Sequence, residues 1–337
     1  MSFFDNKTVL ITGATGLIGS HIVDKLITSS NAKIIAIGRN KDKLENAFGS
    51  YINIGRLAII AEDISQSLSV NEKIDVIFHA AGPMEGKIIV NTPVDVIKPN
   101  IFGLINCLNF LINQEREQGV KGRIIIFSSV TVYGNSTDKD ISVLEEDTNI
   151  TDSIDSQSAC YSQSKRMIEV IANAYTKQYG IDIVKARFST VYGFTRFIPE
   201  TAFFEFIKCG IDGRDIVMQS CNSPHRDNIY VDDAVDAVLL LAEKGVTGES
   251  YNVSSNGELN NFAAVDEIAG VIADVSNKNF HRDEKTSIKV SFLNEFTGNR
   301  KAGIRLINDK LKGLGWSIKI SLEEGIRKTL ELASNDK

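Results

Sequence analysis

Proline is scarce in this chain, five in 337 residues, and no proline- or glycine-rich stretch separates one part from another. Any two lobes are therefore expected to pack together rather than hang on a linker. Cysteines number only four, Cys107, Cys160, Cys209 and Cys221, and their spacing suits no metal site. They are expected to be reduced and buried, not a disulfide framework. The first residues, Met1 to Lys7, show no basic segment leading into a long apolar stretch, so no signal peptide is expected. No uninterrupted apolar run approaches the roughly 20 residues of a membrane helix. A basic excess is missing too: Lys and Arg total 37 against 43 Asp and Glu, a net charge of -6. Nucleic acid is not an expected partner. What is present is 43% apolar and 24% charged, an ordinary globular composition in a length that allows one large domain or two. A cytoplasmic protein with a sizeable core is expected.

The first two-thirds alternate between two periodicities. Short β-branched runs occur at residues 8–12, 34–37, 57–60, 76–78 and 124–127, with a weaker sixth at 181–186. Continuous apolar strands of this kind are buried on both faces, as in a parallel sheet covered by helices. Helical spacing of apolar residues lies between them at 17–28, 94–112 and 161–178. The alternation predicts an α/β fold, a doubly wound parallel sheet with right-handed crossovers. Beyond about residue 190 the rhythm loosens. Helices are expected near 201–209, 231–243, 262–274, 307–313 and 322–333, and short strands near 215–218 and 250–253, forming a smaller α+β lobe. The 1–190 segment is expected to bind a dinucleotide and 191–337 mainly to hold substrate, with 226–245 returning to the first part.

Chemistry collects at the strand ends. The first strand runs into Gly13-Ala14-Thr15-Gly16-Leu17-Ile18-Gly19 and then a helix. Glycines permit a tight turn and close backbone approach to a pyrophosphate, and the helix N-terminus offers free N–H groups. The second strand ends at Gly38-Arg39-Asn40, about 20 residues further on. A carboxylate there would bind both ribose hydroxyls of NAD, whereas Arg39 can hold the 2′-phosphate of NADP. Arg39 can equally be a solvated strand-end cation. Asp63-Ile64, after the third strand, can contact an adenine, or Asp63 can cap a helix. His79-Ala80-Ala81-Gly82 supplies small residues where backbone must pass a flat ligand, and His79 reads as a packed strand-end residue. Tyr161 and Lys165 sit one helical turn apart. An ammonium beside a phenol favours the phenolate and lets it shuttle a proton. Ser128-Ser129, at the end of the fifth strand, can offer a hydroxyl to the same substrate oxygen.

These motifs together resemble an extended short-chain dehydrogenase/reductase of the nucleotide-sugar epimerase/dehydratase/reductase family. The resemblance covers nearly the whole chain. It rests on Gly13 to Gly19, Asp63-Ile64, His79 to Gly82, Ser128 to Gly134 and Tyr161 to Lys165. It continues through Arg226-Asp227-Asn228-Ile229-Tyr230-Val231-Asp232-Asp233, Leu314-Gly315-Trp316 and Ser321 to Gly325. It implies a Rossmann-type sheet with a smaller C-terminal substrate lobe, and a homodimer paired through the 94–112 and 161–178 helices. Ser129, Tyr161 and Lys165 are then the catalytic residues. Cofactor contacts fall on Gly13, Thr15, Gly16, Leu17, Ile18 and Gly19, on Arg39, Asn40, Asp63 and Ile64, and on Ala80, Ala81, Gly82 and Asn100. Ser128, Tyr161, Lys165, Phe188 and Val191 complete that set. Substrate contacts fall on Met84, Glu85, Ser129, Thr131, Thr190 and Arg226, the last gripping a diphosphate.

Departures from the family pattern narrow the reaction. Dehydratases and decarboxylases carry acidic residues where this chain has Val130 and Thr131. Thr190 stands in place of the usual Asn, Phe194 in place of Pro, and Ser220 to His225 replaces a glycine-rich segment. The expected activity is an NAD(P)-dependent oxidoreductase on a nucleotide sugar, a 4-keto sugar reductase with Tyr161 as proton donor and NADP as its cofactor, NAD being the other possibility. A 4-epimerase retaining NAD, a reductase of a non-sugar ketone and a silent cofactor-binding regulator stay open.

Overall fold

The apolar runs become strands because β-branched side chains suit a pleated surface buried on both faces. In the computed structural model, which describes residues 2–83, 86–134, 139–148, 153–199, 201–221, 223–294, 300 and 302–335, the first strands are β1 (Thr8–Thr12), β2 (Lys33–Gly38), β3 (Leu57–Ala61), β4 (Val76–His79) and β5 (Arg123–Ser129). There follow β6 (Ile141–Val143), β7 (Asp182–Phe188), β8 (Thr190–Tyr192), β9 (Ile216–Met218) and β10 (Arg226–Tyr230). The last are β11 (Ser250–Val253), β12 (Phe262–Ala263), β13 (Val290–Phe292) and β14 (Ile304–Leu306). The helices are α1 (Leu17–Ser29), α2 (Lys41–Ile52), α3 (Gly86–Asn91), α4 (Pro93–Gln118) and α5 (Ala159–Tyr179). Then come α6 (Ala202–Asp212), α7 (Val231–Lys244), α8 (Val265–Asn279), α9 (Asp309–Gly313) and α10 (Leu322–Asn335).

Seven parallel strands form the main sheet in the order β11-β7-β5-β4-β1-β2-β3. The order reverses direction between β1 and β4, which is where a doubly wound sheet opens a crevice for a ligand. Side chains alternate across it. Val9 and Ile11 enter one core with α1, α2 and α7, while Leu10 enters the other with α4 and α5. The fold class expected from the alternating runs is therefore the fold found.

Two assignments beyond residue 190 differ. Residues 250–253, expected in the smaller lobe, add β11 as the seventh strand beside β7. Residues 226–230, expected to return to the main sheet, instead pair with β8, β12 and β14. Only the following helix returns: α7 lies against α1 and beneath β5, β7 and β11. Asp227 and Asn228 are buried there with partners that the smaller lobe supplies: Asp227 accepts from the Ser255 and Leu306 amides, and Asn228 donates to the Asn261 and Ala263 carbonyls. Likewise 262–263 becomes β12 before α8 begins at Val265, and β9 forms a separate pair with β13.

Helix α4 also runs past its expected end. By length and composition alone it could cross a membrane, which the run-length reading missed because polar residues interrupt its apolar ones. Its Leu104, Cys107, Leu108 and Leu111 side chains are buried against the sheet. The helix places its Asn100 end beside the mouth of the crevice.

Candidate active site

The glycine turn is shaped by close packing. Gly13 has φ +65°, and a Cβ on it would stand 2.8 Å from the Ala80 carbonyl oxygen and the Ala81 nitrogen. A Cβ on Gly19 would stand 2.4 Å from the Gly13 carbonyl oxygen. Both positions therefore need glycine. Gly16 is the N-cap of α1 and has no side chain to cap it, so the amides of Leu17 and Ile18 have no acceptor within the helix. Thr15 lies in the turn before them. Across the crevice, Thr12 Oγ1 accepts from Ala81 N at 3.2 Å and meets His79 Nδ1 at 3.0 Å. Burial pulls His79 down to about 3, with the Lys165 cation acting the same way, so its imidazole is neutral and structural. Gly82 lies against Asn100: a Cβ there would be 2.7 Å from Asn100 Oδ1. The Asn100 amide donates to Val96 O at 2.7 Å. An uncapped helix end facing a strip of small residues fits a dinucleotide.

At the far end of this groove Arg39 is exposed, while the Asn40 side chain is spent capping α2, accepting from Lys43 N at 2.9 Å. Asp63 caps a turn rather than a helix: its Oδ1 accepts from Ser65 N at 2.9 Å and Ser65 Oγ at 2.7 Å. Those bonds hold its carboxyl below the ordinary range, with the Arg39 cation adding to the effect. Ile64 is buried, its side chain facing Gly103.

Ser129, Tyr161 and Lys165 meet where β5 ends against the first turns of α5. Ser129 is buried, its Oγ accepting from Thr131 N at 3.2 Å, and it hydrogen-bonds the Tyr161 phenol. Lys165 is buried with Nζ donating to Phe127 O at 2.7 Å and lying 5.6 Å from the centre of the Tyr161 ring. No carboxylate pairs with it among the described residues, and burial pulls the ammonium down to about 8. Burial also raises the Tyr161 phenol, offset in part by the Ser129 hydrogen bond. The expectation that Lys165 brings this phenol below its ordinary value is therefore not met. The ammonium is turned to the Phe127 carbonyl, and desolvation outweighs it. At neutral pH the Tyr161 phenol keeps its proton.

Ser128 departs from its expected place. Strand alternation turns its hydroxyl to Glu169 Oε1, at 2.5 Å, away from Ser129. Phe188 packs against Phe127 with ring centres 4.8 Å apart and the rings tilted by 56°, and Val191 and Thr190 lie on β8, paired with Ile229 and Asn228 of β10. Thr131 Oγ1 is buried with no hydrogen-bond partner among the described residues. Arg226 is exposed yet surrounded by enough protein for burial to lower its pKa, as in an open cleft, and no carboxylate pairs with it among the described residues. His225 is engaged instead, with Nδ1 3.2 Å from Asp140 and Nε2 3.4 Å from Glu267. Met84 and Glu85 lie outside the described residues.

Sequence reading missed Glu169 and Arg187, whose buried ion pair closes at 2.6 Å directly behind the site. A signal was present. Lys185 and Arg187 occupy alternate positions of an otherwise apolar strand, and Glu169 lies one turn beyond Lys165.

Comparison with known proteins agrees with this geometry. A sequence model of the NAD dependent epimerase/dehydratase family matches residues 9–254. A trifunctional UDP-glucose 4,6-dehydratase/UDP-4-keto-6-deoxy-D-glucose 3,5-epimerase/UDP-4-keto-L-rhamnose-reductase of Arabidopsis thaliana is 28% identical over 96% of this chain. The chain spans about half of that protein's length, 47%. The dTDP-D-glucose 4,6-dehydratase of Homo sapiens is 29% identical, over 96% of this chain and 89% of its own. Among solved structures, the UDP-glucuronic acid 4-epimerase of Bacillus cereus, bound to UDP-glucuronic acid and NAD, superposes with a TM-score of 0.75 at 23% identity, covering 97% of this chain and 99% of that one. The UDP-glucose 4-epimerase of Thermotoga maritima gives 0.74, also at 23%, with 97% and 99% covered. At such identities the structures share the fold.

The unpaired ammonium has a consequence for stability. In the fold Lys165 is pulled down to about 8, against an ordinary value of 10.5 in the unfolded chain. Between those values the unfolded chain holds more protons, so this residue makes stability rise with pH there, and its cost is fully present below about 8. Lys165→Met is predicted to stabilise the fold at pH 7 by about 1–2 kcal/mol, since each pKa unit corresponds to roughly 1.4 kcal/mol and the Phe127 carbonyl loses its donor. The gain should shrink toward pH 10. Urea unfolding at both pH values checks this; a variant less stable than the parent at pH 7 would contradict it.

Proposed function

The chain belongs to the NAD dependent epimerase/dehydratase family, and on that premise we propose that it reduces a 4-keto nucleotide sugar. The observation that carries the reading is a protonated, half-buried Tyr161 bonded to Ser129 beside a buried Lys165 that no carboxylate pairs with among the described residues, with no carboxylate at positions 130 and 131. Water elimination needs an acid and a base near the sugar ring, and Val130 and Thr131 supply neither.

The Leu17 and Ile18 amides at the start of α1 would hold the pyrophosphate of a bound dinucleotide, Ala80 to Gly82 would flank it, and Asn100 supports that strip. Phe188 and Val191 close the nicotinamide end, where the backbone of Ser128 takes part. Arg226 grips the substrate diphosphate, with Thr131, just after β5, and Thr190, on β8, on the sugar side. When bound, the reduced nicotinamide supplies a hydride to a carbonyl carbon. Ser129 Oγ donates a hydrogen bond to the carbonyl oxygen and fixes its position. Tyr161 Oη gives that oxygen a proton, and the Lys165 ammonium stabilises the phenolate left behind. A raised phenol pKa suits this direction, because the acid stays loaded at neutral pH. Tyr161→Phe is expected to cut turnover by about 10²–10⁴-fold, with folding and cofactor affinity little changed. The assay is cofactor oxidation with UDP- and dTDP-linked 4-keto sugars, and turnover within a few-fold of the parent would reject the role.

Within this family reading we assign a preference for NADP(H). Arg39 is exposed at the ribose end, no carboxylate stands at residues 38–40, and Asn40 is committed to its cap. A charge-assisted bond to a 2′-phosphate contributes about 1.5–3 kcal/mol, or roughly ten- to hundredfold in affinity. Arg39→Ala should lose most of this preference, and added salt should weaken it. Fluorescence titration with NADPH and NADH decides: equal affinities, or tighter NADH, contradict it.

The assembly we assign is a homodimer. Val94 and Phe102 of α4 and Met167 and Val170 of α5 are exposed apolar residues on adjoining helices, the kind of surface that a two-fold contact buries. Light scattering at micromolar concentration should give twice the chain mass, and a monomer mass would refute it.

A further inference from the structure

We propose that Ser128, Glu169 and Arg187 are positioning residues that set the register of α5 on β5 and thereby hold Tyr161 and Lys165 in the geometry for proton transfer. The inference rests on the reading of those two side chains as the proton-transfer pair.

Three consecutive residues at the end of β5 each engage α5 with a different group. The Phe127 carbonyl accepts from Lys165 Nζ at 2.7 Å, the Ser128 hydroxyl donates to Glu169 Oε1 at 2.5 Å, and Ser129 bonds the Tyr161 phenol. Residues 161, 165 and 169 are spaced by four, so they form one stripe along the helix. The third point is anchored a second time, from β7. Arg187 Nε donates to Glu169 Oε1 at 2.8 Å and one terminal nitrogen donates to Oε2 at 2.6 Å. The other terminal nitrogen donates to Glu145 O at 2.5 Å and Tyr133 Oη at 3.0 Å, and Tyr133 in turn donates to Asn252 Oδ1 at 2.6 Å. Two residues back on β7, Lys185 Nζ donates to Asn173 Oδ1 at 2.6 Å, one turn further along α5.

The chemistry of the slots discriminates against slippage. A one-turn slide of α5 shifts it by about 5.4 Å and puts each residue in its neighbour's place. In one direction the Glu169 carboxylate would face the Phe127 carbonyl. In the other, the Lys165 ammonium would face the Arg187 guanidinium. Both juxtapose like charges or like dipoles inside the core, whereas the apolar contacts of α5 alone would tolerate a slide far better. A buried ion pair is weak grounds for a stability role, because apolar residues of similar volume often replace one without loss. Registration of the helix is what the pair adds.

The test uses the full chain grown with 3-fluorotyrosine, in which fluorine makes the phenol more acidic and brings its titration into reach. The Tyr161 ¹⁹F resonance, one of eight tyrosines, is identified by its absence from Tyr161→Phe. In Glu169→Leu/Arg187→Met the apolar pair keeps the packing while the register contacts are lost. Tyr161 then loses its bond from Ser129 and the nearby ammonium, so its titration midpoint should rise by about one pH unit, a roughly tenfold smaller phenolate fraction. The melting curve should stay cooperative. Ser128→Ala, which removes one contact and buries no charge, should give a smaller rise and covers the case in which the double variant does not fold. A midpoint unchanged or lowered in a folded variant overturns the proposal. Turnover by Tyr161→Phe would instead overturn the reading beneath it.

Discussion

An ammonium group held inside the protein, with no counter-ion among the described residues, governs the layout of this molecule. Lys165 has one carbonyl for a partner, and its charged form is disfavoured by burial. Such a group slides toward solvent or toward a carboxylate unless the structure forbids both. Here the nearest carboxylate on its own helix face, Glu169, is claimed by Arg187 and Ser128. The buried ion pair thus has a second effect: it keeps a competing anion from neutralising the lysine. Tyr161 has the Ser129 hydroxyl bonded to it and the Lys165 ammonium 5.6 Å from its ring centre, and desolvation still keeps its proton on.

The crevice around this centre is defined mostly by backbone. Gly13 and Gly19 let a turn close on itself, Gly82 lets Asn100 come near, and His79 stays neutral so that Thr12 can hold the Ala81 amide. These constraints bring an uncapped helix end within reach of β4 at the point where strand order reverses. On the opposite side the smaller sheet contributes one exposed arginine, Arg226, which no carboxylate pairs with among the described residues. A groove with amides at one end, a cation at the other and a loaded acid between them suits a negatively charged substrate bearing a carbonyl.

How much of this could be read from the sequence follows from what the sequence pattern encodes. Strands β1 to β5 and β7 were legible because parallel strands buried on both faces leave unbroken apolar runs. The glycine turn, Ser129, Tyr161 and Lys165 were legible because each is local in sequence. Sheet membership was not. β10 and β11 are both short, five and four residues, and both carry buried polar side chains, so the partners that keep β10 in the smaller sheet come from segments distant in sequence. Side-chain direction was not legible either: Ser128 and Ser129 are adjacent and identical, and the pleat decides which hydroxyl serves the site. Glu169 and Arg187 lie on separate elements, so their pairing depends on packing that no single segment specifies. The sign of the Tyr161 shift is of the same kind, since it balances a visible neighbour, Lys165, against burial that only the fold creates.

The central claim, that this centre delivers one hydride and one proton to a sugar carbonyl, is tested most directly with deuterium. The protein would be incubated with reduced cofactor deuterated at the nicotinamide C4, as both NADPH and NADH, and with UDP- and dTDP-linked 4-keto-6-deoxy sugars, and the products analysed by mass spectrometry. The account predicts a product alcohol one mass unit heavier, with the deuterium at C4 and one cofactor oxidised for each sugar. A sugar epimer formed without net cofactor oxidation, or no deuterium transfer to any of these sugars by a protein that binds the cofactor, would contradict it.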